Sequence, residues 1–263
     1  MFKGITGTIT RARLALHIRR ASSQLYGPTF CGLARGTRKL ALTYDDGPND
    51  RCTPQLLEVL AKHGAHATFF LIGKFVAARP DIARLLVETG HAVGNHTYSH
   101  PDLTVLPAAQ LQNELDSTSH AIEEATGVIP ELFRPPYGRR NRRILSAVRE
   151  RGMTTVMWRA ACYDWKAKSH ENIGHMISLI RGGEVLQFHD GSHRSLGVDR
   201  SNCIEYTDVI LRHYRDLGYE FVTVPEMMCS FVGPEIAEKV SLGESQRPIA
   251  STPEAHRTAK AGY

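Results

Sequence analysis

The stretch Leu40-Ala41-Leu42-Thr43-Tyr44-Asp45-Asp46-Gly47-Pro48 runs from an apolar strand straight into two adjacent carboxylates and a turn. Lys39–Tyr44 reads as a buried strand, and Asp-Asp-Gly-Pro as its stop. About fifty residues later, the short apolar segment 91–95 ends in His96-Thr97-Tyr98-Ser99-His100. Two imidazoles and two carboxylates thus stand at strand ends. One Asp and two His make three ligands for a zinc-like ion, which leaves a coordination position open and one carboxylate to spare. A spare carboxylate beside a water can take its proton. Threonine at position 97 excludes the helical H-E-x-x-H zinc motif.

Outward from this stretch, strands alternate with helices. A helix is expected after Thr53 as N-cap and Pro54 at the first position, with Leu56, Leu57, Leu60 and Ala61 on one face and Gly64 ending it. Residues 67–72 (A-T-F-F-L-I) read as a strand, and 80–89 as a helix carrying Ile82, Leu85 and Leu86. The longest helix spans 107–126, where Leu111, Leu115, Thr118, Ile122 and Ala125 recur at helical spacing. Residues 132–134 are extended, 141–151 helical, 154–158 and 184–189 strands, 204–217 a helix and 220–223 a last strand. Repeated strand–helix units imply an α/β fold with a parallel sheet and helices outside it. About seven such units favour a closed or nearly closed barrel. An open doubly wound sheet is the alternative, weakened because no G-x-G-x-x-G follows the first strand.

In such a fold all the polar clusters fall on one face. Asp45-Asp46, His96/His100, Arg134-Pro135-Pro136-Tyr137-Gly138, Asp164-Trp165 and His189-Asp190-Gly191 each follow an expected strand. Alone, each has a plain reading as a turn or rigid loop. Asn95-His96-Thr97 matches a glycosylation sequon but overlaps the metal-ligand pair, and is set aside.

These five motifs, in this order, resemble the polysaccharide deacetylases (carbohydrate esterase family 4, the NodB homology domain), and the resemblance covers residues 38–230. It implies a distorted (β/α) barrel of about seven parallel strands in a single catalytic domain, and metal-dependent removal of acetyl groups from N-acetylated sugars, with one divalent ion, zinc first and cobalt second. Matched position by position, it implies Asp45 as general base. Asp46, His96 and His100 match the metal ligands. Arg134 matches the partner that keeps the base ionised, and His189 the general acid oriented by Asp164. The Tyr137 N–H matches the oxyanion donor, and Pro135, Tyr137, Trp165 and Gln187 line the substrate. One position departs from the family: Gln187 stands where leucine usually lines the acetyl pocket, and if its amide faces that pocket the pocket is more polar. Competing readings are an O-acetyl polysaccharide esterase and an inactive sugar-binding domain, the latter disfavoured because binding alone needs no proton-transfer groups.

The composition, 42% hydrophobic and 22% charged, fits a soluble globular chain. The net charge of +5 is concentrated before Asp45, where eight Lys and Arg and no acid occur, so the remainder is net acidic. Residues 1–37 are therefore read as a basic arm, a solvated helix beside the domain in the first instance and a peripheral membrane contact as the alternative, and residues 231–263 as a polar, mobile tail. Sparse aromatics in the arm argue against nucleic acid. No apolar run long enough to span a bilayer and no secretory leader are read, so a cytoplasmic location is expected. Five scattered cysteines without C-x-x-C read as reduced thiols.

Overall fold

The computed structural model describes residues 23–161, 164–165 and 170–231. The expected arm up to residue 22 and the tail from 232 onward lie outside them. They belong almost wholly to the first of two compact units, Met1–Met228; the second is Cys229–Tyr263.

Eight strands form one sheet in which every strand pairing is parallel: β1 (Lys39–Gly47), β2 (Thr68–Leu71), β3 (Ala92–Asn95), β4 (Leu132–Phe133), β5 (Thr154–Thr155), β6 (Ala160–Ala161), β7 (Val185–His189) and β8 (Glu220–Phe221). The order is β5-β4-β3-β2-β1-β7-β6, with β8 pairing the start of β1. Helices α1 (Cys52–Lys62), α2 (Gly73–Ala78), α3 (Pro80–Glu88), α4 (Ala108–Thr126), α5 (Arg142–Glu150), α6 (His170–Leu179), α7 (Ser201–Asp216) and α8 (Val224–Phe231) punctuate the strands. This is the expected curled (β/α) architecture of about seven parallel strands.

Strand β1 organises two apolar layers by its alternation. Leu40, Leu42 and Tyr44 join the cluster packed under the helices, with Leu56 and Leu60 of α1 and Ile210 and Leu211 of α7. Ala41 faces the other way, into a second cluster with Phe70, Leu132, Met157, Trp158 and Val185. On α4 the five residues expected to face the core are the five that are buried. Local details differ. Arg51, not Thr53, occupies the N-cap of α1, and the Asn49 carboxamide oxygen accepts the N–H groups of Arg51 (2.9 Å) and Cys52 (3.1 Å). The Thr53 hydroxyl instead donates to the buried carboxylate of Asp190. Ala61 and Leu85 point to solvent, since charged neighbours set the outer faces of their helices.

The region expected as one strand, 154–158, is broken. β5 stops at Thr155, and the separate β6 pairs with β7 on the far edge of the sheet. Asp164-Trp165 therefore follows β6. Residues 30–33, ahead of the expected domain start at 38, span the space between these edges. The Phe30 N–H donates to Thr155 O and the Met157 N–H to Phe30 O, while the Leu33 N–H donates to Gly183 O. No described helix is long and apolar enough to cross a membrane.

The ends of β1 and β7 meet where the site is built. A Cβ on Gly191 would lie 2.0 Å from Asp46 O and 2.9 Å from Gly47 N, both backbone atoms that cannot step aside. Gly191→Ala is expected to destabilise the fold by about 3 kcal/mol by overpacking. Gly174→Ala, in helix α6 with open space around it, is expected to stabilise by about 0.5–1 kcal/mol. Urea unfolding of both variants measures the contrast.

Candidate active site

Five strand ends deliver the side chains. Asp45 and Asp46 close β1, His96 follows β3, Arg134 follows β4, Asp164 follows β6, and His189 ends β7 in register with Asp45. The four described non-glycine residues with positive φ are Asp46 (70°), Thr97 (68°), His100 (62°) and Tyr137 (57°). All belong to these motifs. Such backbone costs of order 1–3 kcal/mol per residue and persists only where surrounding packing enforces it.

Asp46, His96 and His100 are buried, and one ligand atom from each lies within 4.8 Å of the others. Asp46 Oδ1 stands 3.3 Å from His100 Nε2 and 3.6 Å from His96 Nε2, yet has no hydrogen-bond partner. His96 Nδ1 lies 2.7 Å from Arg134 O. A carbonyl only accepts, so Nδ1 carries the proton and Nε2 presents its lone pair to the cluster. His100 is pushed down to about 3, by burial first and then by His96, so it is a neutral ligand at ordinary pH. Asp46 is held well below the usual carboxylate range: burial opposes ionisation, but His193, His100 and His189 outweigh it. An orphaned buried carboxylate oxygen facing the Nε2 atoms of two buried imidazoles is a donor set that fits a divalent cation.

Beside this triad, Asp45 is buried and ion-paired. Its Oδ1 accepts from Arg134 Nη1 at 2.7 Å, and its Oδ2 accepts from Gln187 Nε2 at 2.7 Å. Burial would raise its pKa, but the Arg134 charge leads the effects that bring it below the ordinary value. Arg134 is fully enclosed. It also donates to Thr43 Oγ1 (2.7 Å) and Val156 O (3.2 Å), and its guanidinium carbon lies 4.1 Å from the Phe70 ring centroid and 5.4 Å from that of Trp158.

On β7, His189 Nδ1 lies 3.0 Å from Asp164 Oδ1, while the His189 N–H donates to Asp164 Oδ2 at 2.6 Å. One carboxylate therefore fixes both the ring and the backbone. Burial disfavours the imidazolium, but the Asp164 charge and hydrogen bond, with Asp45 and Asp46 beyond, raise His189 to about 9. The Trp165 ring meets His189 edge-on at 4.5 Å. Tyr137 is half exposed, its ring edge-on to His100 at 4.6 Å. Asn95 is completely buried and donates its amide to Leu115 O and Ser119 Oγ, so it cannot carry a glycan.

His193 escaped the sequence analysis, and Asp190 was named there only as part of the H-D-G cluster. His193 stacks on His100 (centroids 4.6 Å, planes 13° apart), with Nδ1 3.8 Å from Asp46 Oδ2, and Lys74 Nζ holds its carbonyl at 2.9 Å. Its only signal was the repeated histidine in H-D-G-S-H. Asp190 is a buried carboxyl pushed up to about 7, by burial first, with the Thr53 hydroxyl opposing.

The polysaccharide deacetylase family matches residues 33–156. A chitooligosaccharide deacetylase of Bradyrhizobium sp. (strain ANU 289) is 34% identical over 204 residues, covering 74% of this chain and 93% of the relative. The chain belongs to the polysaccharide deacetylase family. Among solved structures, the Bc1960 peptidoglycan N-acetylglucosamine deacetylase, in complex with a hydroxamate-type benzamide, superposes with TM-score 0.71 at 30% identity, covering 77% of this chain and 92% of that one. BA3943 from Bacillus anthracis, described as a pseudoenzyme of the same family, superposes with TM-score 0.68 at 26% identity over 75% of this chain and 67% of that one.

The buried Arg134–Asp45 pair makes a measurable claim on stability. Arg134→Leu leaves Asp45 buried without its partner and is expected to cost about 3–5 kcal/mol. Replacing both residues by leucine removes both charges and is expected to recover most of that loss, as read by urea unfolding.

Proposed function

We propose that this protein is a metal-dependent N-deacetylase that hydrolyses the acetamide of N-acetylglucosamine residues in an oligosaccharide or glycan. The observation that carries this reading is the set of two proton-transfer pairs, Arg134–Asp45 and Asp164–His189, beside one Asp–His–His triad.

Asp46, His96 and His100 would hold the ion, with zinc the best match and cobalt also suited to the donor set. When bound, the ion would polarise the acyl carbonyl and make a water acidic enough to attack near neutral pH. The remaining steps belong to the chain. Asp45, kept ionised by Arg134, takes a proton from the attacking water. The Tyr137 backbone N–H, turned by its positive φ, donates to the developing oxyanion. An amine is a poor leaving group as an anion, so His189 in its imidazolium form delivers a proton to the nitrogen as the C–N bond breaks. Asp164 keeps that ring charged and oriented. Pro135 and Trp165 would flank the acyl group. A non-catalytic sugar-binding role, raised by the pseudoenzyme relative, is opposed by the retention of both proton-transfer pairs.

Acetate release from N-acetylglucosamine oligomers of one to six units, with chelated protein and zinc restored, tests the reading. Zinc-dependent release is expected, falling by about 10²–10⁴ in Asp45→Asn. Silence on all oligomers with cleavage of O-acetylated xylan would replace it by the esterase reading. The pH profile carries a second expectation. His189 acts as an acid only while protonated, so turnover falls as pH rises through its pKa, about 9 in the metal-free protein and lower with a cation beside Asp46. Asp164→Asn removes the leading stabiliser of the imidazolium and is expected to move this alkaline limb to lower pH, seen in kcat against pH.

A further inference from the structure

Gln187 is two residues before His189 on β7, in register with Thr43 of β1 and Ala161 of β6. Its side chain is buried with those residues, and its amide is committed. The atom 2.7 Å from Asp45 Oδ2 must be the nitrogen, because an ionised carboxylate only accepts. Arg134 holds Asp45 Oδ1 at the same distance. Each oxygen of the carboxylate is therefore gripped by its own donor. A carboxylate has about four acceptor directions, so lone pairs remain for a water.

The other end of the amide has a cost. Gln187 Oε1 is shut off from solvent and has no hydrogen-bond partner among the described residues. A buried orphan acceptor of this kind is destabilising, and methionine or leucine would fill the same space without it. Packing therefore does not account for glutamine at this position. Nor is the amide aimed at an open acyl pocket, since one N–H is directed at Asp45 and the oxygen is closed off from solvent.

We propose that Gln187 is a positioning residue for Asp45. With Arg134 it clamps the carboxylate against rotation about its Cβ–Cγ bond, so that the free lone pairs keep facing the water to be deprotonated. This rests on the reading of Asp45 as the general base.

The test compares full-length wild type, Gln187→Met and Gln187→Glu, each reconstituted with zinc. Steady-state kinetics use N-acetylglucosamine oligomers and, separately, 4-nitrophenyl acetate, and crystal structures of wild type and Gln187→Met are solved alongside. Gln187→Met keeps the volume but has no donor. It is expected to be at least as stable as wild type, to bind zinc with unchanged affinity, and to lose about tenfold in kcat with KM unchanged, the size of one hydrogen bond to a charged group. Its Asp45 carboxylate plane is expected to turn or to split into two orientations. Gln187→Glu sets a second carboxylate against Asp45 and is expected to lose more. Wild-type kcat in Gln187→Met, with the carboxylate plane unmoved, would overturn the proposal in favour of a space-filling role. A raised KM with unchanged kcat would overturn it in favour of an acyl-pocket wall. If wild type leaves the oligomers untouched, the substrate reading fails by itself, and the ester kinetics and the two structures still decide for or against the clamp.

Discussion

The guanidinium of Arg134 has no exposure to solvent, and its neighbours offset most of what that costs. A buried cation needs its charge neutralised and its N–H groups received. Asp45 supplies the countercharge, Thr43 and Val156 supply acceptors for Nη1 and Nε, and the Phe70 and Trp158 rings face the cation, while Nη2 has no hydrogen-bond partner among the described residues. These partners come from β1, β2 and the chain following β5, while Arg134 itself follows β4. The inside of the curled sheet is thus organised around the Arg134–Asp45 ion pair. Core and site cannot be varied independently here, because the same contacts serve both.

The strained backbone follows from this crowding. Asp46 adopts positive φ within the last residues of β1, where the register with β2 shifts, and Thr97, His100 and Tyr137 do so in the loops after β3 and β4. With both residues in left-handed backbone, His100 Nε2 stands 3.3 Å from Asp46 Oδ1. Packing beneath offsets that cost: Asn95 Oδ1 fixes the Thr97 N–H, and the Thr97 hydroxyl accepts the His100 N–H.

Most of the site was legible because its residues are chemically conspicuous and each follows an apolar run. Asp45, Asp46, His96, His100, Arg134, Asp164 and His189 needed only their order and the strand pattern to be grouped. Helix α4 was equally legible, since its period is long and clean. What was hidden depends on contacts distant in sequence. Thr53 looks like a cap until Asp190, far along the chain, claims its hydroxyl. β6 is two residues long and carries no period. The direction of the Gln187 amide is set by a carboxylate on a neighbouring strand, and His193 joins the site only because β7 and the loop after it fold back over His100. Sequence shows which groups are present, whereas their hydrogen-bond allegiances are decided by tertiary neighbours.

The segment 30–33 has a consequence for the order in which the molecule is assembled. It leaves the ribosome before any of the sheet exists, yet its backbone partners are Thr155, Met157, Gly183 and Val185. Synthesis proceeds at roughly 5–20 residues per second, so many seconds separate the emergence of this stretch from that of its partners. Its contacts are among the most non-local in the fold, and closing so long a loop costs more entropy than forming the local strand–helix units. A segment made early is therefore expected to be among the last to be fixed in place.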